Sequence, residues 1–239
     1  MKSLLMISVF FVGTFFASMG FSAEMSGDDV LKKSENYRGF NEPFSMTVKI
    51  ENFQGKVANE STTFSVMVKS NTTSLAEQTE PSAARGRKLL MIENDMWLHT
   101  PDIKKAIRIS LEQKLTGETA NGDVAKTNFY GDYEAKIIEK NDQHIKMDMT
   151  AKVSGTTYKK IIYYVNAKTF APMKAEFLAV SGKLLKTAVY GKIKNMSGKE
   201  MVTEVLIADG LQKSKTSRLT YVKMKKEKLD DSLFNRSSL

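Results

Sequence analysis

The side chains that most often carry out catalysis or bind metals are sparse in this sequence. It has two histidines, His99 and His144, and no cysteine, and no spacing of acidic residues and histidine matches a zinc site. It lacks a Gly-x-Ser-x-Gly nucleophile motif and a Gly-x-x-x-x-Gly-Lys phosphate loop. Adjacent carboxylates occur at Asp28–Asp29 and Asp230–Asp231, near exposed ends where a buried acid is not expected. We therefore predict a protein that is not an enzyme and uses no metal or cofactor.

The first 23 residues have the composition of a secretory signal peptide. Lys2 supplies the positive start, Leu4–Phe16 is an apolar core, and small residues up to Ala23 offer cleavage sites. The alternative is an uncleaved membrane anchor, because the uncharged run that ends at Ala23 nearly reaches the ~20 residues needed to span a bilayer. We favour cleavage, which predicts a single domain, residues 24–239, in the periplasm.

The composition is that of a basic protein with enough apolar residues for a core. The net charge is +9, and 41% of the residues are apolar. Loss of residues 1–23 removes one lysine and no acid, which leaves +8 and favours anionic partners. Basic and aromatic residues do not interleave as in a stacking platform, so we predict no nucleic-acid binding. Without cysteine, disulfides and a lipid-modified N-terminal cysteine are excluded.

Residue spacing predicts one short helix followed by an antiparallel β-structure. Ser26 to Tyr37 fits a helix that Ser26 caps and that carries one narrow apolar stripe. From Phe44 onward apolar residues alternate with polar ones, which is typical of strands with one apolar face. Turn signals such as Asn141-Asp142 and Ser181-Gly182 indicate sequential hairpins. No helical pattern is long enough for parallel crossovers.

Two segments depart from this alternation. Leu111–Tyr130 contains glycines among polar residues, which predicts a long excursion with a short helix. The tail from Asp230 to Leu239 has Leu233 and Phe234 as possible anchors. The chain should otherwise follow a regular meander.

One hairpin is expected to carry the single tryptophan. The apolar runs Leu89–Ile92 and Met96–Leu98 flank Asn94-Asp95, which predicts a tight turn at those two residues. Pro101 has no N–H to donate to a neighbouring strand, so it should end the second strand. A basic strand or loop that ends near Ile109 should follow.

The sequence around this hairpin resembles a known family. It contains three local motifs in order, Gly86-x-Lys88-Leu89-Leu90, Met96-Trp97-Leu98-x-x-Pro101 and a basic cluster that ends in Arg108-Ile109. Later motifs are Thr169-Phe170-x-Pro172 and Ser181–Lys186. Together, from Ser45 to Phe234, they are similar to the outer-membrane lipoprotein-sorting branch of the LolA/LolB superfamily.

Three features depart from the family pattern. His99 stands where the family usually has an aromatic residue, and Lys104 and Lys105 stand where arginines are common. The segment 117–130 lacks the run of acidic and aromatic residues that the family often has there.

The resemblance implies a mainly β, α+β fold: a half-open antiparallel β-barrel with a helical or loop lid over its concave apolar face. It implies a periplasmic carrier that shields the acyl chains of lipoproteins or other lipids and shuttles them toward the outer membrane. Partners would be the lipidated protein or lipid, an inner-membrane exporter and an outer-membrane acceptor. We expect a monomer that, without cysteine, is not itself lipidated.

Apolar positions of the alternating strands are the candidates for the lining of the cavity. Several are among the 14 methionines of the chain, whose flexible side chains suit varied apolar guests, although each could equally be ordinary core. The candidates are Phe44, Met46, Val48, Ile50, Phe64, Val66, Trp97, Leu98, Ile145, Met147, Met149, Met173, Phe177, Val205 and Ile207.

Cations near the hairpin are candidates for a rim that meets a lipid head group. They are Lys104, Lys105 and Arg108, and the alternative for them is a solvated strand edge. Other functions stay open at this point: an accessory protein of an RND-type exporter, a sensor module that binds a lipid for a regulatory membrane partner, or a hydrolase with an unfamiliar site.

Overall fold

The computed structural model describes residues 24–126 and 128–239, so the predicted signal peptide lies outside the described residues. These residues form two α-helices, α1 (Gly27–Glu35) and α2 (Asn121–Ala125), and fifteen strands. The strands are β1 (Phe44–Gln54), β2 (Val57–Ser70), β3 (Thr73–Glu80), β4 (Lys88–Ile92), β5 (Asp95–His99), β6 (Ile107–Ile109), β7 (Lys114–Thr116), β8 (Thr119–Ala120), β9 (Tyr133–Lys140), β10 (His144–Ala151), β11 (Lys160–Asn166), β12 (Pro172–Leu178), β13 (Leu184–Met196), β14 (Lys199–Asp209) and β15 (Lys215–Lys226).

Thirteen of the strands form one antiparallel sheet in the order β6-β5-β4-β3-β2-β1-β15-β14-β13-β12-β11-β10-β9. Strands that are adjacent in the sheet are also consecutive along the chain, with one exception. Strand β1 pairs with β15, and Phe44 lies opposite Lys226. Strands β6 and β9 are the two edges and do not pair with each other, so the sheet does not close into a barrel. The predicted mainly β architecture is confirmed.

The predicted helix is confirmed, and its first turn explains where it begins. The Ser26 hydroxyl accepts a hydrogen bond from the Asp29 N–H at 3.1 Å, and the Asp29 carboxylate accepts one from the Ser26 N–H at 3.3 Å. The helix buries Val30, Leu31 and Ser34 and ends at Glu35, two residues before the predicted Tyr37. Among the described residues no helix is both long and apolar enough to cross a bilayer.

Strand alternation creates one continuous apolar inner face. In β1 the side chains of Phe44, Met46, Val48 and Ile50 are buried, and the intervening ones are partly exposed. The same alternation in β10 buries its methionines and Ile145. The inward side chains of the long strands, the apolar stripe of α1 and part of the segment after β6 form a single core cluster.

The predicted inward position of Met173 is wrong because β12 contains a bulge. Opposite strand β11, Tyr164 pairs with Lys174, but the next residue, Val165, pairs with Pro172. Met173 is the extra residue of this bulge, so its side chain leaves the inner face and is exposed. Pro172 takes the buried position instead.

The predicted inward position of Trp97 is also wrong, and strand parity is the reason. Its neighbours Met96 and Leu98 both pack on the inner core, so the side chain of Trp97 must point to the other face. There Trp97 pairs with Leu90, and the guanidinium of Arg236 lies 5.3 Å from its ring centre. The turn of this hairpin is at Glu93 and Asn94, one residue earlier than predicted.

The C-terminal tail packs on the outer face of the sheet. Phe234 is buried against Leu75 and Leu90, in a small cluster separate from the inner core. It is therefore the anchor expected of the tail, whereas Leu233 is largely exposed. The tail therefore covers an apolar patch on the outer face, which Leu75 and Leu90 form together with the partly buried Met67 and Ile92.

Helix α1 is held against the edge strand β9 by a close backbone approach that requires glycine. A Cβ at Gly27 would overlap with the carbonyl group of Ala135, whereas a Cβ at Gly191, in β13, would meet nothing within 4 Å. The Ala135 N–H also donates a hydrogen bond to the Asp28 carboxylate at 2.9 Å. This N–H belongs to the edge strand β9, and Asp28 supplies its hydrogen-bond acceptor.

We therefore predict that Gly27→Ala lowers the free energy of unfolding by about 1–3 kcal/mol, because the backbone of α1 must shift. Gly191→Ala is the matched control and should stay within about 0.5 kcal/mol of the native protein. Urea denaturation measures both. Equal stabilities for the two variants would contradict the close approach.

Candidate functional site

The segment between strands β6 and β9 crosses the inner face of the sheet. We call residues 110–132, apart from Thr127, the crossing segment; it contains β7, β8 and α2. Its apolar side chains, which include Leu111, Val124 and Phe129, belong to the inner core. The Ser74 hydroxyl of β3 donates to the Ala125 carbonyl at 2.7 Å, so α2 is anchored on the sheet itself. The predicted excursion with a short helix is thus present and largely buried.

A small cavity lies between the crossing segment and the sheet. Its volume is about 40 Å³. The surrounding residues combine charged, aromatic and aliphatic side chains from α2, the loop after α1, and strands β12 to β15. They include Arg38, Asp123, Lys126, Phe129, Phe177, Tyr190, Val205, Ile207 and Tyr221. This volume holds a few water molecules, because one water needs about 10–15 Å³ on this measure.

A buried ion pair joins the crossing segment to strand β13. The Lys186 ammonium lies 2.7 Å from the Asp123 carboxylate and donates to the Glu118 carbonyl at 3.0 Å. The Tyr158 hydroxyl donates to the other oxygen of Asp123 at 2.7 Å. Both charged side chains are largely excluded from solvent. Because a buried charge is tolerated only with such partners, the contacts fix where α2 sits.

A second polar contact joins the crossing segment to two turns of the sheet. The Lys126 ammonium forms an ion pair with Asp132 and donates to the Asn94 side-chain oxygen at 2.9 Å. The Asn94 side-chain amide in turn donates to the Ser154 carbonyl at 2.8 Å. Asn94 is in the β4–β5 turn and Ser154 in the β10–β11 loop. These contacts bridge the two halves of the open sheet where strand pairing does not.

A third buried pair connects the end of α1 with the crossing segment. The Arg38 guanidinium is 3.3 Å from Glu35 and lies 3.9 Å from the ring centre of Phe129. The Phe129 N–H donates to Glu35 at 2.7 Å. Burial raises the pKa of Glu35, against the opposing effect of Arg38. Burial alone would lower the pKa of Arg38, but the Glu35 carboxylate together with Tyr190, Tyr163 and Tyr221 outweighs burial, and the pKa of Arg38 is raised.

Five of the eight tyrosines surround these pairs and are held in the neutral form. Burial raises the pKa of Tyr133, Tyr158, Tyr163, Tyr190 and Tyr221 above the ordinary value of 10.0. The Tyr163 hydroxyl is 3.1 Å from that of Ser34 on α1, and the Tyr133 hydroxyl donates to the Tyr158 carbonyl at 2.8 Å. The interior beneath α1 and the crossing segment is therefore not purely apolar.

Most of the predicted lining residues lie on the inner face. Twelve are buried members of the inner core, and Leu98 packs against that core partly buried. Trp97 and Met173 do not lie there, for the reasons given above. Of the twelve, Phe177, Val205 and Ile207 border the present cavity. That all twelve contact a ligand stays a prediction. The twelve are Phe44, Met46, Val48, Ile50, Phe64, Val66, Ile145, Met147, Met149, Phe177, Val205 and Ile207.

The predicted rim cations do not border this cavity. Lys104 and Lys105 are exposed in the loop between β5 and β6, beside Arg236 of the C-terminal tail. Arg108 is exposed and forms an ion pair with Asp95. A head-group role for these three residues stays a prediction, and it would have to act away from the cavity.

Sequence reasoning did not identify the charged side chains of the interior. Glu35, Arg38 and Asp123 belong to no motif, and Lys186 is the last residue of the Ser181–Lys186 motif. Glu35 and Arg38 are three residues apart, but Asp123, the partner of Lys186, is distant from it in sequence. One signal was available: Lys186 occupies an inward position of β13, in line with the buried Ala188. A charge at an inward position requires a partner, although the sequence does not name it. Among the described residues, no three acidic or histidine side chains cluster as a metal site.

Comparison with known proteins identifies related structures. A LolA superfamily protein from Nitrosomonas europaea is 34% identical, with a TM-score of 0.84 over 90% of this chain and 100% of that one. A family model described as an uncharacterized protein matches residues 70–239. No curated protein matches the chain.

Two more distant structures share the fold. A domain described as an outer membrane lipoprotein-sorting protein, from Vibrio parahaemolyticus, is 16% identical, with a TM-score of 0.74 over 88% of this chain and 97% of that one. A DUF1329 family protein from Desulfovibrio piger is also 16% identical, with a TM-score of 0.75 over 89% of this chain and 97% of that one. At this identity the likeness concerns the fold alone.

We predict that Lys186→Met lowers the free energy of unfolding by about 3–5 kcal/mol, because it leaves the Asp123 carboxylate buried without its cation. Adding Asp123→Asn should recover most of this loss. Lys174→Met, which breaks the more exposed Lys174–Glu176 pair, is the control and should cost about 0–1 kcal/mol. Urea denaturation tests all three variants. Equal losses for Lys186→Met and Lys174→Met would show that the inner pair is solvated.

We predict a loss of stability in alkali from these five tyrosines, of which Tyr133, Tyr158 and Tyr163 are buried and Tyr190 and Tyr221 are partly buried. An acid whose pKa is raised by folding stabilises the native state fully below its unfolded pKa, here 10.0, and that stability disappears as the pH rises toward the folded pKa. The denaturation midpoint should therefore fall steeply above pH 10. Phenolate absorbance from these residues should appear together with unfolding. Phenolates of Tyr133, Tyr158 and Tyr163 that form in the still-folded protein would contradict their burial.

Proposed function

The chain belongs to the LolA superfamily, and on that premise we propose that it is a periplasmic carrier of lipoproteins or other lipids. It would shield their acyl chains in its interior and shuttle them toward the outer membrane. Exposure of an acyl chain to water costs about 0.8 kcal/mol per CH₂, so transfer across an aqueous gap needs such a shield. Carrying requires no chemical step.

The observation that carries this proposal is the way in which the apolar inner face is covered. The face is continuous across the sheet, yet the segments over it are attached by apolar packing and a few polar contacts rather than by strand pairing. Buried ion pairs fix a geometry but contribute little net stability compared with apolar packing. A cover attached in this way can be displaced without unfolding the sheet beneath it.

The size of the cavity implies that the described conformation is closed. A cavity of about 150 Å³ is needed to hold benzene, and about 40 Å³ is open here. An acyl chain is much larger than benzene. Loading would therefore require α1 and the crossing segment to act as a lid that moves off the inner face. The acyl chain would then replace the contacts that the lid's apolar side chains make in the closed form.

The remaining features of the proposal follow from the carrier role. The signal peptide, residues 1–23, would direct export, and residues 24–239 would work as one monomeric domain. An inner-membrane exporter would supply the cargo, and an outer-membrane acceptor would receive it. An affinity for the cargo between those of these two partners would be sufficient for transfer in one direction.

A disulfide that ties the lid to the sheet would test the movement. A Cβ built at Gly122 of α2 lies 3.0 Å from the Cβ of Thr157 in the β10–β11 loop, a few tenths of an ångström below the usual disulfide range of about 3.5–4.5 Å. The chain has no cysteine, so Gly122→Cys with Thr157→Cys would form a unique bond. We predict that the oxidised variant takes up a fluorescent diacylglyceryl lipopeptide or phospholipid at least about tenfold more slowly than the reduced one.

The same preparation provides its own control, because reduction should restore uptake. Thr157→Cys alone should load at the native rate under both conditions. Gly122→Cys alone brings a new side chain against Thr157, so its control is that it loads equally fast under oxidising and reducing conditions. If the oxidised protein loads as fast as the reduced one, the lid does not gate the interior. If no form of the protein binds either lipid, the carrier proposal itself is wrong.

A further inference from the structure

Three neighbouring hairpin turns project from one end of the sheet. They are residues 54–57, which comprise the β1–β2 turn and the strand residue on either side of it, residues 179–183 between β12 and β13, and residues 210–214 between β14 and β15. We call them the three tips. The first and third are joined by the Gly55 N–H, which donates to the Ser214 carbonyl at 2.7 Å. The third is joined to β13 by the Gly210 N–H, which donates to the Leu185 carbonyl at 2.8 Å. The tips are thus held in one fixed arrangement.

Each tip exposes one aliphatic side chain. Val57 is 65% exposed, Val180 85% and Leu211 72%, and Leu185 beside them is also exposed. None of the exposed large apolar side chains lies in the turns at the opposite end of the sheet, which span residues 71–72, 93–94, 141–143, 167–171 and 197–198. Exposed aliphatic side chains that are grouped at one end of the sheet, and not at the other, form a candidate interaction surface.

Each tip also carries one lysine and no acidic residue. The lysines are Lys56, Lys183 and Lys213. The nearest acid next to a tip, Asp209, is occupied by the N–H groups of Leu211 and Gln212, at 2.8 and 2.6 Å. These hydrogen bonds lower the pKa of Asp209, and its charge stays directed at the backbone. The end of the sheet therefore combines three aliphatic side chains with three cations.

We propose that the three tips dock this protein on the surface of an anionic phospholipid bilayer. Val57, Val180 and Leu211 would enter the interfacial layer, while Lys56, Lys183 and Lys213 contact lipid phosphates. The charge pattern favours this occupant. Each tip has an aliphatic side chain and a lysine, which match the apolar acyl layer and the anionic head groups of a bilayer. A protein partner would be expected to find a pocket or groove, whereas these side chains project singly from separate turns.

This surface adjoins the crossing segment. The Asn52 side chain, near the first tip, donates to the Thr116 hydroxyl of β7 at 2.7 Å. The Glu118 N–H donates to the Ser217 hydroxyl, near the third tip, at 2.7 Å. Docking would therefore bring one end of the crossing segment to the membrane. The inference concerns membrane contact alone, and its test does not depend on whether the protein carries a lipid.

Sedimentation with vesicles tests the proposal. The native protein should bind vesicles of mixed phosphatidylethanolamine and phosphatidylglycerol, and should bind phosphatidylcholine vesicles far more weakly. Replacement of Val57, Val180 and Leu211 by serine should reduce binding at least about tenfold. Replacement of the three tip lysines by glutamine should reduce it on the order of a hundredfold at low salt. Thermal unfolding should show that both triple variants are folded.

Matched controls separate the tips from general exposure and charge. Val222 and Ile138 are 60% and 52% exposed but lie within strands, outside the three tips, and their serine variants should bind vesicles like the native protein. So should the variant Lys223→Gln with Lys225→Gln, which loses two exposed cations of β15.

Four outcomes would overturn the proposal. The first is that the native protein does not bind anionic vesicles. The second is that the control variants lose as much vesicle binding as the tip variants. A third is native protein that is dimeric by size-exclusion chromatography and monomeric when the three aliphatic tip residues are serine, which would assign the tips to a second copy of this chain. A fourth is a membrane protein that captures the native chain but not the tip variants when vesicles alone do not, which would assign the tips to a protein partner.

Discussion

An antiparallel sheet that buries alternate side chains on one side produces an apolar face, and that face cannot be left in water. In this protein the face extends over the long strands of a thirteen-stranded sheet whose edges, β6 and β9, remain unpaired. A closed barrel would shield such a face by strand pairing alone. Here α1 and the crossing segment must cover it, and the position of the interior charges follows from that requirement.

The cover is both apolar and polar, and the two kinds of contact do different work. Side chains such as Leu31, Val124 and Phe129 remove apolar area from water without specifying direction. The pairs Lys186–Asp123 and Arg38–Glu35 add little to net stability but allow one arrangement, because any other would leave a charge buried alone. The position of the cover over the sheet is therefore well defined in geometry.

Sequence reasoning was most successful where the physical rule is local. Alternation of apolar and polar residues predicted the long strands, and Ser26 as a cap predicted the start of α1. Sequence reasoning was wrong where a local irregularity changes which face of the sheet a side chain points to. The bulge in β12 that turns Met173 outward has no signal in the alternation itself, since it arises from pairing with β11. Trp97 and Leu98 were both assigned to one face, although adjacent strand residues point to opposite faces.

The sequence by itself determined the strand-rich class of the fold, the short capped helix, the long excursion before β9 and the family resemblance. These features depend on residues within a few positions of each other or on motifs in a fixed order. Only the tertiary structure decided that β1 pairs with β15, that the crossing segment fills the interior, and that Lys186 meets Asp123. Such contacts join residues far apart in the chain. Their choice depends on which buried charge or apolar surface would otherwise remain unsatisfied, a property of the whole assembled sheet.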